Sequence, residues 1–351
     1  MNKFWSSMVK RTDPYVPGEQ LNEPDLLKLN TNENPYPPSP KVFEAIQKET
    51  ENLKLYPSPT ADDLRTEIAS HFNLAGKENI FIGNGSDEVL AFSFMAFFEP
   101  SEAIRFPAVT YSFYPVYAKI FDIPYVETEL NEDFSIKPEA LFNAQGGVIF
   151  PNPNAPTSIY LPLQSVQEVL KNNPDKVVIV DEAYIDFAGE SAATLISEYD
   201  NLLVIQTTSK SRSLAGLRVG YALGQKHLID ALIRIKDSFN SYTIDRLALA
   251  GALASFRDKA YFKEHTAKII ATREKTAEQL HALGFSVIPS SANFLFAKHE
   301  SKKAEEIYLS LKERNVLVRH FGKQPIDNYL RITVGTDAEM DRLIDTLKKI
   351  I

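Results

Sequence analysis

The sequence predicts an α/β protein: a large three-layer domain around a mostly parallel sheet, a smaller α+β C-terminal domain and an N-terminal arm. Three observations predict it. Between residues 60 and 225, short continuously apolar runs alternate with helical stretches, the pattern of strands covered on both faces. From about residue 225 to Leu283-Gly284 the signal is helical throughout, and beyond it strands and helices alternate again on their own. The chain holds 351 residues, enough for two domains of ~100–200 residues each.

Taken in order, the first 40 residues carry Pro14, Pro17, Pro24 and the run Asn34-Pro35-Tyr36-Pro37-Pro38. Prolines so placed neither close a helix nor sit in a central strand. The segment reads as a tail or as an ordered arm crossing a neighbouring surface, with Leu26, Leu27 and Leu29 to anchor it. The expected division is an arm over 1–28, packing with the small domain or a partner subunit, a large domain over 29–245 and a small domain over 246–351. Leu64, Ile68 and Phe72 recur at helical spacing and predict a helix over 61–72. Apolar runs predict strands at 80–82, 103–106, 148–150, 177–180 and 202–205, with helices over 88–98 and 163–170 between them. The link from Gln206 to Val219 is rich in Ser and Gly and too short for a crossover helix, so residues 219–223 are expected to run antiparallel. In the C-terminal part, strands are expected at 294–296, 316–318 and 330–332, and helices over 303–314 and 338–349.

Composition narrows the function. The chain has no cysteine, which excludes disulfide scaffolds, thiolate metal sites and cysteine nucleophiles and suits a reducing cytoplasm. With 38 basic and 46 acidic residues the net charge is −8, and no basic stripe marks a nucleic-acid partner. The N-terminus lacks the apolar core of a secretory signal, and the longest apolar stretch, 89–98, is too short to cross a bilayer. The expectation is a cytoplasmic protein without membrane or nucleic-acid contacts. The six histidines show no metal spacing and read as surface side chains, and no metal site is expected.

Ligands of open parallel sheets bind beyond the carboxyl ends of the strands. After 80–82 comes Gly83-Asn84-Gly85-Ser86-Asp87-Glu88, a Gly-containing turn into a helix whose free amides suit an anion. No third glycine and no GK[ST] follow, so neither a dinucleotide fingerprint nor a P-loop is present. After 177–180 comes Asp181-Glu182-Ala183-Tyr184; an acid at the end of a buried strand caps the next segment or meets a cation. After 202–205 come Thr207, Ser209 and Lys210, and the antiparallel return brings Arg218 to the same edge. These charges form either a surface salt-bridge network or one ligand site. A phosphate takes Arg218, Ser209, Thr207 and the amides at Gly85-Ser86. A lysine beside cations suits imine chemistry with a carbonyl, and an acid keeps a pyridine nitrogen protonated so that the ring accepts electrons. Pyridoxal 5′-phosphate asks for that whole set. Arg331 lies inside an apolar run, where an unpaired guanidinium is costly, and so calls for an anionic partner.

The stretch 209–220, of form S-K-x-x-x-L-A-G-L-R-x-G, with D-E-A-Y at 181–184, resembles the aspartate-aminotransferase fold type of pyridoxal enzymes. Within it, the chain from near residue 26 resembles the histidinol-phosphate aminotransferase family. The supporting stretches are L-N-T-N-E-N-P-Y at 29–36, G-N-G-S-D-E at 83–88, P-N-P-N-A-P-T at 151–157 and L-R-I-T-V-G-T at 330–336. The resemblance implies that Lys210 joins the cofactor aldehyde as an imine and later shuttles the proton. It implies that Asp181 pairs with the pyridine nitrogen and that Tyr184 bonds the ring's phenolic oxygen. Gly85, Ser86, Asp87, Thr207, Ser209 and Arg218 then surround the phosphate, Tyr111 stacks on the ring, and Tyr56 reaches the phosphate of the other subunit in a homodimer. Arg319 and Arg331 grip the substrate's phosphate, with Asn34 and Tyr36 also on the substrate side. In one place the chain departs from the pattern. The family's N-P-T-G places an asparagine before the proline, where this sequence has Ala155, with Ser158 for the glycine; Asn154 is the nearest amide to replace it.

The function these readings imply is transamination between histidinol phosphate and 2-oxoglutarate, giving imidazole-acetol phosphate and glutamate. A threonine-phosphate decarboxylase or an aromatic aminotransferase on the same scaffold, and a non-enzymatic binder of a phosphorylated ligand, are the alternatives.

Overall fold

The computed structural model describes residues 3–21 and 23–351. Strand β1 (Leu27–Lys28) lies in the N-terminal arm, followed by β2 (Ile80–Asn84), β3 (Ile104–Pro107), β4 (Tyr125–Thr128) and β5 (Val148–Pro151). Next come β6 (Val178–Asp181), β7 (Leu202–Thr207) and β8 (Val219–Gly224), then β9 (Phe285–Ile288), β10 (Phe294–His299), β11 (Val316–Leu317), β12 (Arg319–His320) and β13 (Leu330–Thr333).

Seven strands form one sheet in the order β2-β8-β7-β6-β5-β3-β4. Six run one way, and β8 runs antiparallel to both of its neighbours, as the short Gln206–Val219 link requires. Side chains alternate between the faces of a strand. Val178 and Val180, Leu202 and Val204, and Tyr221 and Leu223 therefore enter one core, while Ile179, Leu203, Ile205 and Ala222 enter the other. Helices Asp62–His71 and Arg246–Arg257 cover the first face, and Gly85–Phe97, Phe113–Phe121 and Lys226–Phe239 the second. The parallel edge strand β4 was not foreseen: it is short, and Val126 and Glu127 are exposed, so no apolar run marks it. Nor was helix Phe113–Phe121, whose aromatic residues carry no clear polar face.

The C-terminal part builds an antiparallel sheet, β12-β13-β10-β9, with a separate core of its own. The continuous helical signal resolves into three helices, Lys226–Phe239, Arg246–Arg257 and Lys259–Ala282, broken at residues 240–245 and at Asp258. Ala248, Ala252 and Phe256 pack in the core of the seven-stranded sheet, so that core draws on residues beyond the expected division at 245/246. The expected strand over 316–318 is β11, which pairs with the arm's β1, and a further short strand, β12, follows it and pairs with β13. The arm is thereby tied down. Leu27 and Leu29 are buried in the C-terminal core, and their amides donate to Asn315 O and Leu317 O at 2.8 and 2.7 Å. Nearer its start, Arg11 Nε and Nη2 donate to the carbonyls of Lys119 and Ile120 at 2.7 and 2.8 Å. The histidines are not all on the surface. His299 is buried, taking the amides of Ser301 and Lys302 on Nδ1, and burial beside Arg212 pushes His71 down to about 4.

Candidate active site

The polarity of the sheet gathers the chemistry. β2, β5, β6 and β7 end at the same edge, and the reversed β8 begins there, so the residues after 84, 151, 181 and 207 and those before 219 meet in one place. They line a cavity of about 280 Å³, closed from the other side by Arg319 and Arg331 and by Tyr15 and Gly18 of the arm. Of the residues singled out from sequence, Lys210, Asp181, Tyr184, Ser86, Asp87, Tyr111, Thr207, Ser209, Arg218, Arg319 and Arg331 share this wall.

One flank is an anion cradle. Helix Gly85–Phe97 starts at the cavity, and the first-turn amides of a helix have no intrahelical partner. Gly85 has φ 77°, and a Cβ there would stand 2.5 Å from Arg218 Nη2. Gly220 on β8 is equally constrained, since a Cβ would meet the Ser86 nitrogen at 2.2 Å. These two glycines let the helix start, the strand and the guanidinium close on one another. Asp87 holds the cradle in shape, accepting from Tyr111 Oη at 2.9 Å and pairing with Arg218 Nη2 at 3.2 Å. Thr207 Oγ1 donates to Ser209 Oγ at 2.9 Å beside it.

The floor is acidic. Asp181 ends β6, buried; its Oδ2 accepts from Tyr114 Oη at 2.8 Å, while Oδ1 accepts no hydrogen bond among the described residues. Burial pushes this carboxyl up to about 6, against the lowering effect of the Tyr114 bond. Tyr114 is thus the side chain that fixes the acid, a role that no motif in the sequence marks. Glu182 points to the opposite face and is consumed structurally by Ser191, the Ala192 amide and Gln206.

Lys210 Nζ donates to Thr31 O at 3.2 Å and lies 5.9 Å from the Tyr184 ring centre. Across the cavity Arg319 and Arg331 are register partners on β12 and β13. Arg331 Nη2 donates to Asn30 O at 2.9 Å, its enclosed Nε has no partner among the described residues, and burial pushes the guanidinium down. Neither arginine forms an ion pair among the described residues, nor does Lys210. A cavity with three unpaired cations selects an anion.

Five expected residues stand elsewhere. Gly85 acts behind the wall, as described. Asn34 does not line the cavity; its Nδ2 donates to Lys210 O at 2.8 Å and Ser211 O at 3.2 Å, so it braces the lysine's backbone instead. Tyr36 packs edge-on against His265, outside the cavity. Tyr56 is 78% exposed and stacks on Tyr242 at 4.8 Å, outside this cavity. Asn154 is buried with Nδ2 spent on Val109 O and Thr157 Oγ1; Ala155, not Asn154, reaches the cavity. Sequence reading gave no role to Tyr15 and Gly18, for which no sequence pattern offers a signal, nor to Asn32, which sits inside the quoted L-N-T-N-E-N-P-Y motif.

The sequence profile of the aminotransferase class I and II family matches residues 24–347, and the chain belongs to that family. Histidinol-phosphate aminotransferase 1 of Oceanobacillus iheyensis is 57% identical over 351 residues, covering 100% of this chain and 99% of the relative. The crystal structure of the histidinol-phosphate aminotransferase from Clostridium acetobutylicum superposes with a TM-score of 0.85 at 26% identity, over 92% of this chain and 98% of that one. The Sinorhizobium meliloti histidinol-phosphate aminotransferase, solved with pyridoxal 5′-phosphate, has the same fold, with a TM-score of 0.89 at 24% identity over 100% and 99% of the two chains.

A lone guanidinium held out of water costs stability until an anion arrives. Arg331→Met is therefore expected to raise the unfolding free energy of the ligand-free protein, on the order of 1 kcal/mol, and to reduce the thermal shift that inorganic phosphate gives the unaltered protein. Both are read by calorimetry.

Proposed function

We propose that this protein is a pyridoxal-phosphate-dependent transaminase that interconverts histidinol phosphate and imidazole-acetol phosphate, with 2-oxoglutarate and glutamate as the second pair, in histidine biosynthesis. One observation carries the reading: Lys210 and Asp181 line one cavity with an anion cradle between helix start and Arg218. Asp181 Oδ1, buried with no hydrogen-bond donor among the described residues, fits the N–H of a protonated pyridine. When bound, the cofactor supplies an electron sink for the bond broken at the substrate's α-carbon. Lys210 would hold the cofactor and would serve as the general base that moves the proton at the substrate's α-carbon. Asp181, held by Tyr114, keeps the ring nitrogen protonated. Ser86, Thr207, Ser209 and Arg218 would hold the phosphate of the cofactor, with Asp87 fixing Arg218 and Tyr111 in place, and Tyr111 would face its ring. Arg319 and Arg331 take the substrate's phosphate in one half-reaction and the second carboxylate of glutamate in the other. The substrate assignment is supported by the names of full-length relatives at 54–57% identity.

The protein acts as a cytoplasmic homodimer in this reading. Tyr56 and Tyr242 form an exposed aromatic pair, flanked by exposed Leu53, Leu55 and Phe239, and a second copy would cover them and receive Tyr56 at its phosphate cradle. In this reading the substrate arginines belong to a small domain over 246–351 and the lysine to a large one over 29–245.

Two outcomes are expected. The purified, cofactor-loaded protein transfers the amino group of histidinol phosphate to 2-oxoglutarate with ping-pong kinetics, and does not release carbon dioxide from threonine phosphate; inertness with every amino donor contradicts the assignment. The second concerns pH. A carboxyl whose proton affinity is raised to about 6 is anionic above that pH and neutral below it. Cofactor uptake by the ligand-free protein, followed by absorbance, therefore weakens as pH falls through about 6 and is full above about 7.

A further inference from the structure

Tyr184 enters the cavity from the loop after β6, and its phenolic oxygen accepts a hydrogen bond from Asn32 Nδ2 at 2.9 Å. Asn32 is buried, with φ 55° in the left-handed region that asparagine tolerates. Its other polar groups are all engaged. The backbone N–H donates to Thr333 Oγ1 at 3.0 Å, that hydroxyl donates to Asn32 Oδ1 at 3.1 Å, and the Asn32 carbonyl accepts from Asn293 Nδ2 at 3.0 Å. With Oδ1 fixed on a hydroxyl donor, the amide has one orientation, and its N–H faces the phenol. A tyrosine hydroxyl has a single proton. Because Tyr184 accepts from Asn32, that proton is directed elsewhere, and no described residue receives it.

The opposite flank of Tyr184 is apolar. Ala155 packs with Ala292 and Phe294 against the ring, and Phe294 meets it edge-on at 5.1 Å. The neighbouring Asn154 amide is spent on Val109 and Thr157. The segment at 154–156 therefore supplies no donor here, and Asn32 alone sets the direction of the phenol.

We infer that Asn32 is a positioning residue: it holds Tyr184 by its oxygen and so delivers the phenolic O–H to an oxygen on the ring of the ligand in the cavity. An accepted bond also polarises the O–H it leaves free, strengthening the donation. The inference rests on the pyridoxal phosphate reading and adds to it the residue that does the work where Ala155 stands.

The test loads the protein with pyridoxal phosphate and follows the pH midpoint of its visible absorbance band. A donor on the ring oxygen stabilises the anionic form of that oxygen, so losing the donor raises the midpoint. Asn32→Ala and Asn32→Gly both remove the amide, and glycine accepts the left-handed backbone without strain. Each is expected to raise the midpoint by about one pH unit, a tenfold change in proton affinity, and to add nothing in a Tyr184→Phe background, because the two groups act through one bond. A midpoint left at the unaltered value overturns the inference, as does a shift that persists in full without the Tyr184 hydroxyl. Loss of cofactor uptake in both Asn32 variants but not in Tyr184→Phe also overturns it, since a positioning residue cannot cost more than the group it positions. If the unaltered protein forms no visible band, the pyridoxal phosphate reading itself fails, a result distinct from any of these.

Discussion

The site depends on a carboxylate held out of water with one oxygen committed and one not. Asp181 sits where a fully buried strand runs out, and Tyr114 fixes one of its oxygens from the helix on the same face. Such a group is costly to fold around, and a cation or donor at its free oxygen favours the ionised form. The rest of the cavity extends that requirement. Lys210, Arg319 and Arg331 face the same space without carboxylate partners among the described residues, and Arg218 shares Asp87 with Tyr111. A ligand with a protonated ring nitrogen, a phosphate and a reactive carbonyl satisfies all of them together.

Backbone geometry makes this convergence possible. Arg218 itself has φ 54°, a left-handed conformation that costs a non-glycine residue about 1–3 kcal/mol. The strain lies between Gly85 and Gly220, whose missing side chains let the helix start meet β8. Stability is spent here and recovered in the two cores on either side of the sheet and the third in the C-terminal part. The arm joins the parts, Arg11 holding helix Phe113–Phe121 and Leu27 and Leu29 filling the C-terminal core, so Tyr15 and Gly18 are carried over the cavity between two fixed ends.

The central strands were legible because burial on both faces writes an unbroken apolar run, and strand ends then point to the ligand edge. That is why Asp181, Lys210 and Arg218 could be grouped from sequence, and why the antiparallel β8 followed from the length of one link. The half-exposed β4 and the helix Phe113–Phe121 lack such a signature, so nothing in the sequence ties Tyr114 to its carboxylate. Asn34 illustrates a different limit. Its place in a motif near the site suggested substrate contact, but its amide is directed at the Lys210 and Ser211 carbonyls, and only tertiary geometry tells bracing from binding. Asn32, two residues earlier, was hidden for the same reason: the phenol it holds is 152 positions away in the chain.

The most direct measurement reduces the cofactor-loaded protein with borohydride, digests it and maps the pyridoxyl label by mass spectrometry. The account predicts the label on the peptide containing Lys210 and on no other lysine. A label on a different lysine, or a reduced protein that carries none, contradicts it.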